Sequence, residues 1–474
     1  MILGIKPHLQ NGEEMTGKSK YFAVEFDCTP DISKQEQASV IIRYIHTDES
    51  KKASVQESFV DFTAVKDTTG QGLAETLIEV IEKNLGLELV NCRGQSYDNG
   101  SNMRGIQKGV QALILEKNPE ALFIPCSHSL NLLLCDVASS NRECLTFFGT
   151  LQRLYTIFSS SVKRWNILKE FIEITLKPLS DTRWEAKLDS AKSLSEEIVR
   201  MEFLVCLIIW YDILAEITHV SKALQAADVS LDTAILLVSS LKDFLVQYRK
   251  EGLKKSLSIA RSMAAEFNSS TEFRRKRLRK QKQFHDETFS YNEDKDPEMH
   301  FRCGVFNVIV DTAIQELSDR FKNIGSVSNK FSFLIKMETM TKEKLEESVT
   351  RYALTTNDIS RDIIQEIYPA SRILKGHKKA IDKLNFILQE NLDKVFPNLT
   401  VALRVFLTMP LTVASAERSF SKLKLIKTYL RSTMNNDRLS QLAIVSIENS
   451  LARSTSFDEI LEKWASTKAR HVKV

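Results

Sequence analysis

Asp98 is the residue whose place in the sequence best suits it to bind a ligand or a metal ion. Leu89 to Cys92 predicts a strand, and the stretch Gly94 to Gly100 that follows is rich in turn-forming Gly, Asn and Asp. A carboxylate at the end of a strand is well placed to hold a ligand. Asp also caps turns for purely local reasons, so both roles stay open at this point.

Cys126 and His128 form a second group with chemical potential. They lie where the short apolar strand Ala121–Pro125 meets the next predicted helix, Leu130–Val137. A zinc site takes more ligands than these two side chains supply. We therefore interpret the pair as a buried cysteine beside a hydrogen-bonded histidine.

A basic run stands out in the middle of the chain. An acidic tract follows it, and a solvated charged linker is one explanation of the pair. The other explanation is a nuclear-import signal or a patch that contacts DNA phosphates. The residues of the run are Arg274, Arg275, Lys276 and Arg277.

The composition is that of an ordinary globular protein. The chain has 474 residues, of which 43% are hydrophobic and 27% charged, so we expect two or more domains with ample core. The net charge of +4 does not by itself imply a nucleic-acid partner. Seven scattered cysteines without a Cys-x-x-Cys pair argue against a disulfide framework or zinc ribbon and favour a reducing compartment.

The sequence predicts no membrane partner. The longest apolar stretch, Met201 to Leu214, is bounded by Glu202 and Asp212 and falls short of the roughly 18 residues that a span requires. The N-terminus shows no apolar segment followed by a small-residue cleavage site. No small-molecule substrate is implied either.

The elements that must position these residues begin with three strands. Tyr21–Phe26, Ala38–Ile45 and Val55–Val65 are rich in aromatic and β-branched residues, and their short spacing predicts an antiparallel meander. Helices then alternate with the two later strands, giving the order β-β-β-α-β-α-β-α. This order is typical of an RNase H-like core, a mixed sheet with flanking helices.

After about residue 140, helical periodicity replaces the strand pattern. The predicted fold class is therefore α/β plus all-α, an RNase H-like core interrupted by a large helical insertion. The predicted divisions are an N-terminal edge at 1–20, the first part of the core at 21–140, the insertion at 141–395 with a charged linker near 271–298, the C-terminal region that completes the core at 396–452, and a tail at 453–474.

Five blocks of the sequence resemble the hAT superfamily of transposases, most closely the branch of zinc-finger MYM-type proteins. They follow one another in the family's order, and the last is similar to the family's C-terminal dimerisation motif. The blocks are Phe26–Ser33, Gly94–Ala112, Cys126–Leu132, Ser180–Trp184 and Pro410–Ser421.

The resemblance implies three catalytic carboxylates that hold divalent metal ions. Asp27 and Asp98 would supply two of them from adjacent strand ends, and Glu417 the third from a helix after the insertion. Three carboxylates suit Mg²⁺ or Mn²⁺, which assist in-line displacement on DNA. Without the resemblance, Glu417 reads as a solvent-facing helix residue paired with Arg418 or Lys424.

The resemblance also bears on two other pairs. Trp184, next to Arg183, is similar to an aromatic residue that stacks near a flipped base, although packing between helices explains a Trp equally well. In the family, the Cys/His pair is usually spaced Cys-x-x-His. Here Cys126 and His128 are one residue closer, which weakens a role in binding metal or DNA.

Dimerisation is expected from the two C-terminal helices. Ala414–Ile426 and the helix that starts at Asp437 each carry apolar residues at helical spacing. The residues that we expect to carry the contact are Phe420, Leu439, Leu442 and Ile447.

The sequence therefore predicts a transposase-derived nuclear protein, with a cytoplasmic pool left open, that forms a homodimer or larger assembly and binds DNA. The alternatives are an active metal-dependent DNA transposase or nuclease, and a protein-interaction scaffold with an idle core. Family members carry a zinc finger ahead of the core. This chain begins about 20 residues before Asp27 without one, which predicts either a domesticated remnant or a truncated sequence.

Overall fold

The computed structural model describes two compact units. The first comprises Met1–His128, Leu224–Ile235 and Lys322–Val474, and the second Ser129–Ala223 and Leu236–Phe321. Of His128 and Phe171 only the backbone is described. The residues described are 20–98, 100–105, 107–125, 128–171, 200–226, 229, 231–266, 270–273, 296–410, 413–449 and 453.

A mixed sheet lies at the centre of the first unit, with the strand order β3-β2-β1-β4-β5. The strands are β1 (Phe22–Pro30), β2 (Glu36–Thr47), β3 (Ala53–Val65), β4 (Cys92–Tyr97) and β5 (Leu122–Phe123). The first three pair antiparallel, whereas β4 is parallel to β1 and β5 is parallel to β4. The predicted mixed sheet with flanking helices is confirmed.

The helices follow the strands in three groups. In the first unit, the early helices are α1 (Gly70–Glu79), α2 (Ser101–Arg104) and α3 (Val110–Lys117). The next group is α4 (His128–Ser139), α5 (Arg142–Ser159), α6 (Val162–Phe171), α7 (Met201–Leu224), α8 (Leu231–Glu266), α9 (Pro297–Phe301) and α10 (Asn307–Arg320). The last group is α11 (Lys322–Lys330), α12 (Ser332–Ile335), α13 (Lys342–Leu354), α14 (Ile363–Ile373), α15 (Ala380–Gln389), α16 (Pro397–Thr408), α17 (Ala414–Ile426) and α18 (Asn436–Ile447).

The two faces of the sheet contribute to separate cores, because successive side chains of a strand point to opposite sides. Phe22 and Phe26 of β1 pack with residues of α1 and α3. On the other face, Ile41, Phe59 and Phe62 pack with α17 and α18. The candidate site lies on this second face.

The chain turns between α2 and α3. Gly105 and Gly109 approach each other closely at this turn. A Cβ atom on Gly109 would lie 2.3 Å from the backbone nitrogen of Gly105. Only glycine fits such a contact between backbones, and α3 begins directly after this turn, at Val110.

The helices after Lys322 belong to the same compact unit as the sheet. Arg93 of β4 forms a buried ion pair with Asp358, in the loop after α13. The backbone nitrogen of Ala53 in β3 donates to Asn385 Oδ1 of α15 at 2.6 Å. Contacts between residues so distant in the chain leave no periodic trace in the sequence.

The second unit contains a helix long and apolar enough to cross a membrane by length and composition. This is α7, which extends beyond the apolar stretch that we counted in the sequence. Within the protein, 67% of its most apolar window is buried, and Trp210 is fully enclosed. A buried core helix meets the same criteria, and α7 is packed as one.

Candidate functional site

Asp27 of β1 and Asp98, the residue that follows β4, are neighbours across two parallel strands. The register pairs Phe26 of β1 with Tyr97 of β4, and the next residue along the chain is in each case an aspartate. Because side chains alternate, Asp27 points away from the core that contains Phe26 and toward the face covered by α17. The structure thus brings these two predicted site residues together.

Glu417 lies in the first turn of α17 and contributes charge to the same neighbourhood. Burial, the charge of Asp98 and the charge of Glu417, in decreasing order, raise the pKa of Asp27 to about 7. A hydrogen bond from the Cys28 backbone nitrogen, at 2.8 Å, opposes this rise. The charges of Asp98 and Glu417 both act on Asp27, and we call these three carboxylates the acidic cluster.

The orientation of these side chains bears on metal binding. Asp27 Oδ1 accepts from its neighbour's backbone nitrogen, and Asp98 Oδ1 accepts from Gly100 N at 3.1 Å. In the part of the chain that the structure describes, no group of three or more His, Cys, Asp or Glu side chains is arranged to hold a metal ion. The oxygen donors suit Mg²⁺ or Mn²⁺, and each of these hydrogen bonds engages only one of the two oxygens of its aspartate.

A polar network that runs from the buried Arg43 to the exposed Arg418 joins the start of α17 to the sheet. Arg43 Nη1 of β2 donates to Glu57 Oε1 of β3 at 2.5 Å, and Ser415 Oγ donates to Glu57 Oε2 at 2.5 Å. Arg418 Nη2 donates to Ser415 Oγ at 2.7 Å. Since Ser415 and Arg418 flank Glu417, this network fixes the turn that carries the third carboxylate.

Glu25 is a fourth acidic residue on this face of the sheet, two residues before Asp27, and it is completely buried. Burial and then the charge of Glu57 raise its pKa well above the usual value, which favours the protonated acid. Sequence reasoning missed Glu25 and Glu57. The available signal was an acid in the apolar run Phe22-Ala-Val-Glu-Phe26, since a carboxylate inside a buried strand rarely lacks a role.

A buried ion pair joins the turn after β1 to the end of α17. Lys427 Nζ lies 2.6 Å from Asp31 Oδ2, and Gln37 Nε2 donates to the same oxygen at 3.0 Å. Burial alone would raise the pKa of Asp31, but hydrogen bonds from Lys427, Ser33 and Gln37 lower it to about 2. This ion pair fixes the end of α17 relative to the sheet, and the Glu57 network fixes its start.

The residues expected to form a dimer contact pack within their own chain. Phe420 and Leu439 are buried, and the Phe420 ring stacks on Phe62 with 5.7 Å between the centroids. Leu442 and Ile447 are partly buried at the margin of the same core. An amphipathic helix shows that one face is buried, but not which surface covers it.

Other predicted site residues lie outside the described part of the chain. For His128 the structure gives only the backbone, at the start of α4. The predicted site residues that lie wholly outside the described part of the chain are Cys126, Arg183, Trp184, Arg274, Arg275, Lys276 and Arg277.

Two stretches of the chain match described protein families. Residues 12–109 match DUF4371, described as the ZMYM1/FAM200 RNase-like domain, and residues 374–451 match the hAT family C-terminal dimerisation region. Asp27 and Asp98 fall in the first stretch and Glu417 in the second. The match to an RNase-like domain agrees with the observed sheet.

The chain is also similar to two curated proteins along most of its length. Both bear the name "52 kDa repressor of the inhibitor of the protein kinase"; one is from Homo sapiens and the other from Mus musculus. The identity is 24% over 488 and 489 residues respectively. Each alignment covers 90% of this chain and 62% of the relative, so the chain spans less than two thirds of these relatives.

Proposed function

The matched regions identify this chain as a transposase-derived relative of the hAT superfamily, and we propose that it is a nuclear protein that self-associates and binds DNA beside a divalent-cation site. The observation that carries the proposal is the acidic cluster of Asp27, Asp98 and Glu417, with the pKa of Asp27 raised to about 7. A cluster of like charges is stabilised by a bound cation, and the resemblance to hAT transposases implies DNA as the substrate class.

The donor set supports Mg²⁺ or Mn²⁺ as the cation. Asp27, Asp98 and Glu417 supply only oxygen atoms, the ligands that these ions prefer. When bound, the ion supplies a Lewis acid for a phosphodiester and lowers the pKa of an attacking water. With a pKa of about 7, Asp27 holds or releases a proton near neutral pH in the absence of the ion.

Basic residues on the outer side of α17 support DNA as the partner. Arg418, Lys422 and Lys424 are exposed on α17, the helix whose first turn carries Glu417. Cationic side chains beside a carboxylate cluster neutralise phosphates that would otherwise be repelled from it. The basic run at 274–277, outside the described residues, supports nuclear import.

DNA binding is expected to weaken when this basic face is reversed. Changing Lys422 and Lys424 to glutamate should lower affinity for a duplex of unrelated sequence about tenfold or more near 100 mM salt, because phosphate contacts are lost. Fluorescence anisotropy of the full chain measures it. The control changes exposed Lys344 and Lys375 to glutamate, an equal change in charge elsewhere. An equal loss of DNA affinity in both double variants would contradict the assignment of this face of α17 as the DNA contact.

A catalytically idle regulator is the second candidate. Asp27 and Asp98 both accept hydrogen bonds from nearby backbone, and the two curated relatives are named as repressors. Mn²⁺-dependent nicking that is lost in Asp98→Asn would mark an active nuclease or transferase. DNA binding with no nicking by the wild-type protein would mark the regulator.

A further inference from the structure

A basic turn joins α14 to α15 in the first unit. Between Pro369 and Ile381 the chain carries four cationic side chains and one histidine but no acidic residue. All four cations are exposed to solvent. They are Arg372, Lys375, Lys378 and Lys379. Like charges held close together repel one another, so such a surface is stabilised when an opposite charge binds it.

The ring of Tyr368 holds two cations beside this turn. Arg372, which lies one helical turn after Tyr368 on α14, has its guanidinium carbon 5.9 Å from the ring centroid. Lys342 Nζ, at the start of α13, lies 5.0 Å from the same centroid. Both distances are within the range of a cation–π interaction. Since Tyr368 is 41% exposed, the two charges are held together at the surface.

Two contacts fix the basic turn next to α13 and α15. Gly376 N donates to Glu338 Oε1 at 3.1 Å, and Glu338 lies four residues before Lys342. The φ angle of Gly376 is +99°, which favours glycine at this point of the turn. The His377 ring packs against Phe386 of α15, with 4.7 Å between the centroids. The cations of the turn and of α13 therefore share one surface. We call this surface the basic patch; it comprises Lys342, Tyr368, Arg372, Lys375 and Lys378.

Acidic groups of the same chain leave most of this charge unpaired. Glu346 Oε1 lies 3.9 Å from Lys342 Nζ, and since these side chains are 45% and 55% exposed, the pair contributes little. Within the residues that the structure describes, Arg372, Lys375 and Lys378 form no ion pair. The contacts with the Tyr368 ring hold two of the cations in place without neutralising them. The basic patch thus offers preorganised cations to an anionic partner.

We propose that the basic patch binds an acidic peptide segment of a partner protein. Its lysines and Arg372 donate hydrogen bonds to carboxylates, and the exposed part of Tyr368 packs against the aliphatic part of the peptide. Two cations already lie over the Tyr368 ring, whereas a nucleic-acid base needs an open ring face on which to stack. This arrangement favours a peptide over a single nucleic-acid strand. The proposal rests neither on the acidic cluster nor on DNA binding.

The test is the binding of a fluorescein-labelled peptide of ten glutamate residues to the full chain, measured by fluorescence anisotropy near 100 mM salt. Wild type is expected to bind the peptide saturably. Lys342→Glu combined with Arg372→Glu should weaken binding about tenfold or more, because both attractions become repulsions. The matched control is Lys66→Glu combined with Lys117→Glu, an equal change in net charge at exposed positions outside the basic patch. Its affinity for the peptide should stay within about twofold of wild type.

Tyr368→Leu separates the arrangement of the cations from their number. This substitution keeps the net charge of the chain but removes the ring that holds Lys342 and Arg372 together. Peptide affinity should fall about two- to fivefold, the ratio that corresponds to a lost cation–π interaction at an exposed site. Because the substituted side chains are exposed, every variant should keep the wild-type melting temperature.

The other outcomes overturn the proposal. They are an absence of saturable binding by wild type, an equal loss of peptide affinity in both double variants, and unchanged affinity in Tyr368→Leu. Anisotropy with duplex DNA supplies the remaining comparison, in which the Lys342→Glu and Arg372→Glu double variant should match wild type. An equal loss of DNA and peptide affinity in that variant would identify nucleic acid as the occupant and would also overturn the proposal. Failure of wild type to bind DNA would contradict the proposed function but not the peptide site.

Discussion

Replacing Asp31 with alanine is expected to lower the free energy of unfolding by about 3–5 kcal/mol, since it leaves a buried ammonium group without its partner. The Asp31 and Lys427 side chains are only 1% and 3% exposed, so water cannot take the place of the lost carboxylate. The turn after β1 also loses the hydrogen bonds that Asp31 accepts from Ser33. Urea unfolding of the purified chain measures the change.

The control for this prediction is Glu49→Ala, an exposed acid in the turn after β2. Its effect should stay within about 0.5 kcal/mol, as is usual for surface substitutions. A loss below about 1 kcal/mol for Asp31→Ala would show that the pair does not hold α17 on the sheet.

The same ion pair gives stability a defined dependence on pH. The pKa of Asp31 is lowered from 3.8 to about 2 in the folded chain, so the folded state binds its proton more weakly than the unfolded state. The stability that the ionised Asp31 carboxylate contributes is fully present above about pH 4 and is lost as the pH falls toward 2. Asp31→Ala should therefore lose stability relative to wild type at neutral pH and approach wild type at pH 2.

Asp27→Asn is expected to have the opposite effect and to stabilise the protein in metal-free buffer at pH 8. The pKa of Asp27 is raised from 3.8 to about 7, so ionisation favours the unfolded chain and wild-type stability falls as the pH rises from about 4 to 7. Removing that charge should raise the free energy of unfolding at pH 8 by as much as about 4 kcal/mol. The amide oxygen can still accept the hydrogen bond from Cys28 N.

Thermal unfolding across this pH range tests the effect. The gain of Asp27→Asn should be largest at pH 8 and vanish near pH 4. Glu75→Gln, which removes an exposed acid on α1, should leave the pH profile unchanged. A destabilised Asp27→Asn protein at pH 8 would mean that the acidic cluster does not strain the fold.

The central sheet was predictable because its signals are local. Alternation and β-branched residues marked the first three strands. The fourth was predicted too early: Leu89–Asn91 form a short helical turn, and the strand is Cys92–Tyr97, within the stretch predicted as a turn, although Asp98 does follow a strand. Pairing in register then put Asp27 beside Asp98. Glu417 could be predicted as a site residue only from the family resemblance, because an acidic residue in the exposed first turn of a helix has no distinctive local sequence pattern.

The remaining features depend on contacts that sequence periodicity does not encode. The apolar faces of α17 and α18 predicted burial, but the partner of Phe420 is Phe62 of the same chain. The pairing of Glu57 with Ser415, like that of Asp31 with Lys427, joins residues from opposite ends of the chain. Helical periodicity likewise did not show that the helices after Lys322 belong with the sheet.

Titration of the full chain with Mn²⁺, followed by the electron paramagnetic resonance signal of the free ion, tests the acidic cluster most directly. We expect saturable binding by wild type that is weakened about tenfold or more in both Asp98→Asn and Glu417→Gln, with Glu75→Gln unchanged, because the first two changes each remove a charged oxygen ligand. Binding that is absent in wild type, or equally strong in all four proteins, would contradict a cation site formed by Asp27, Asp98 and Glu417.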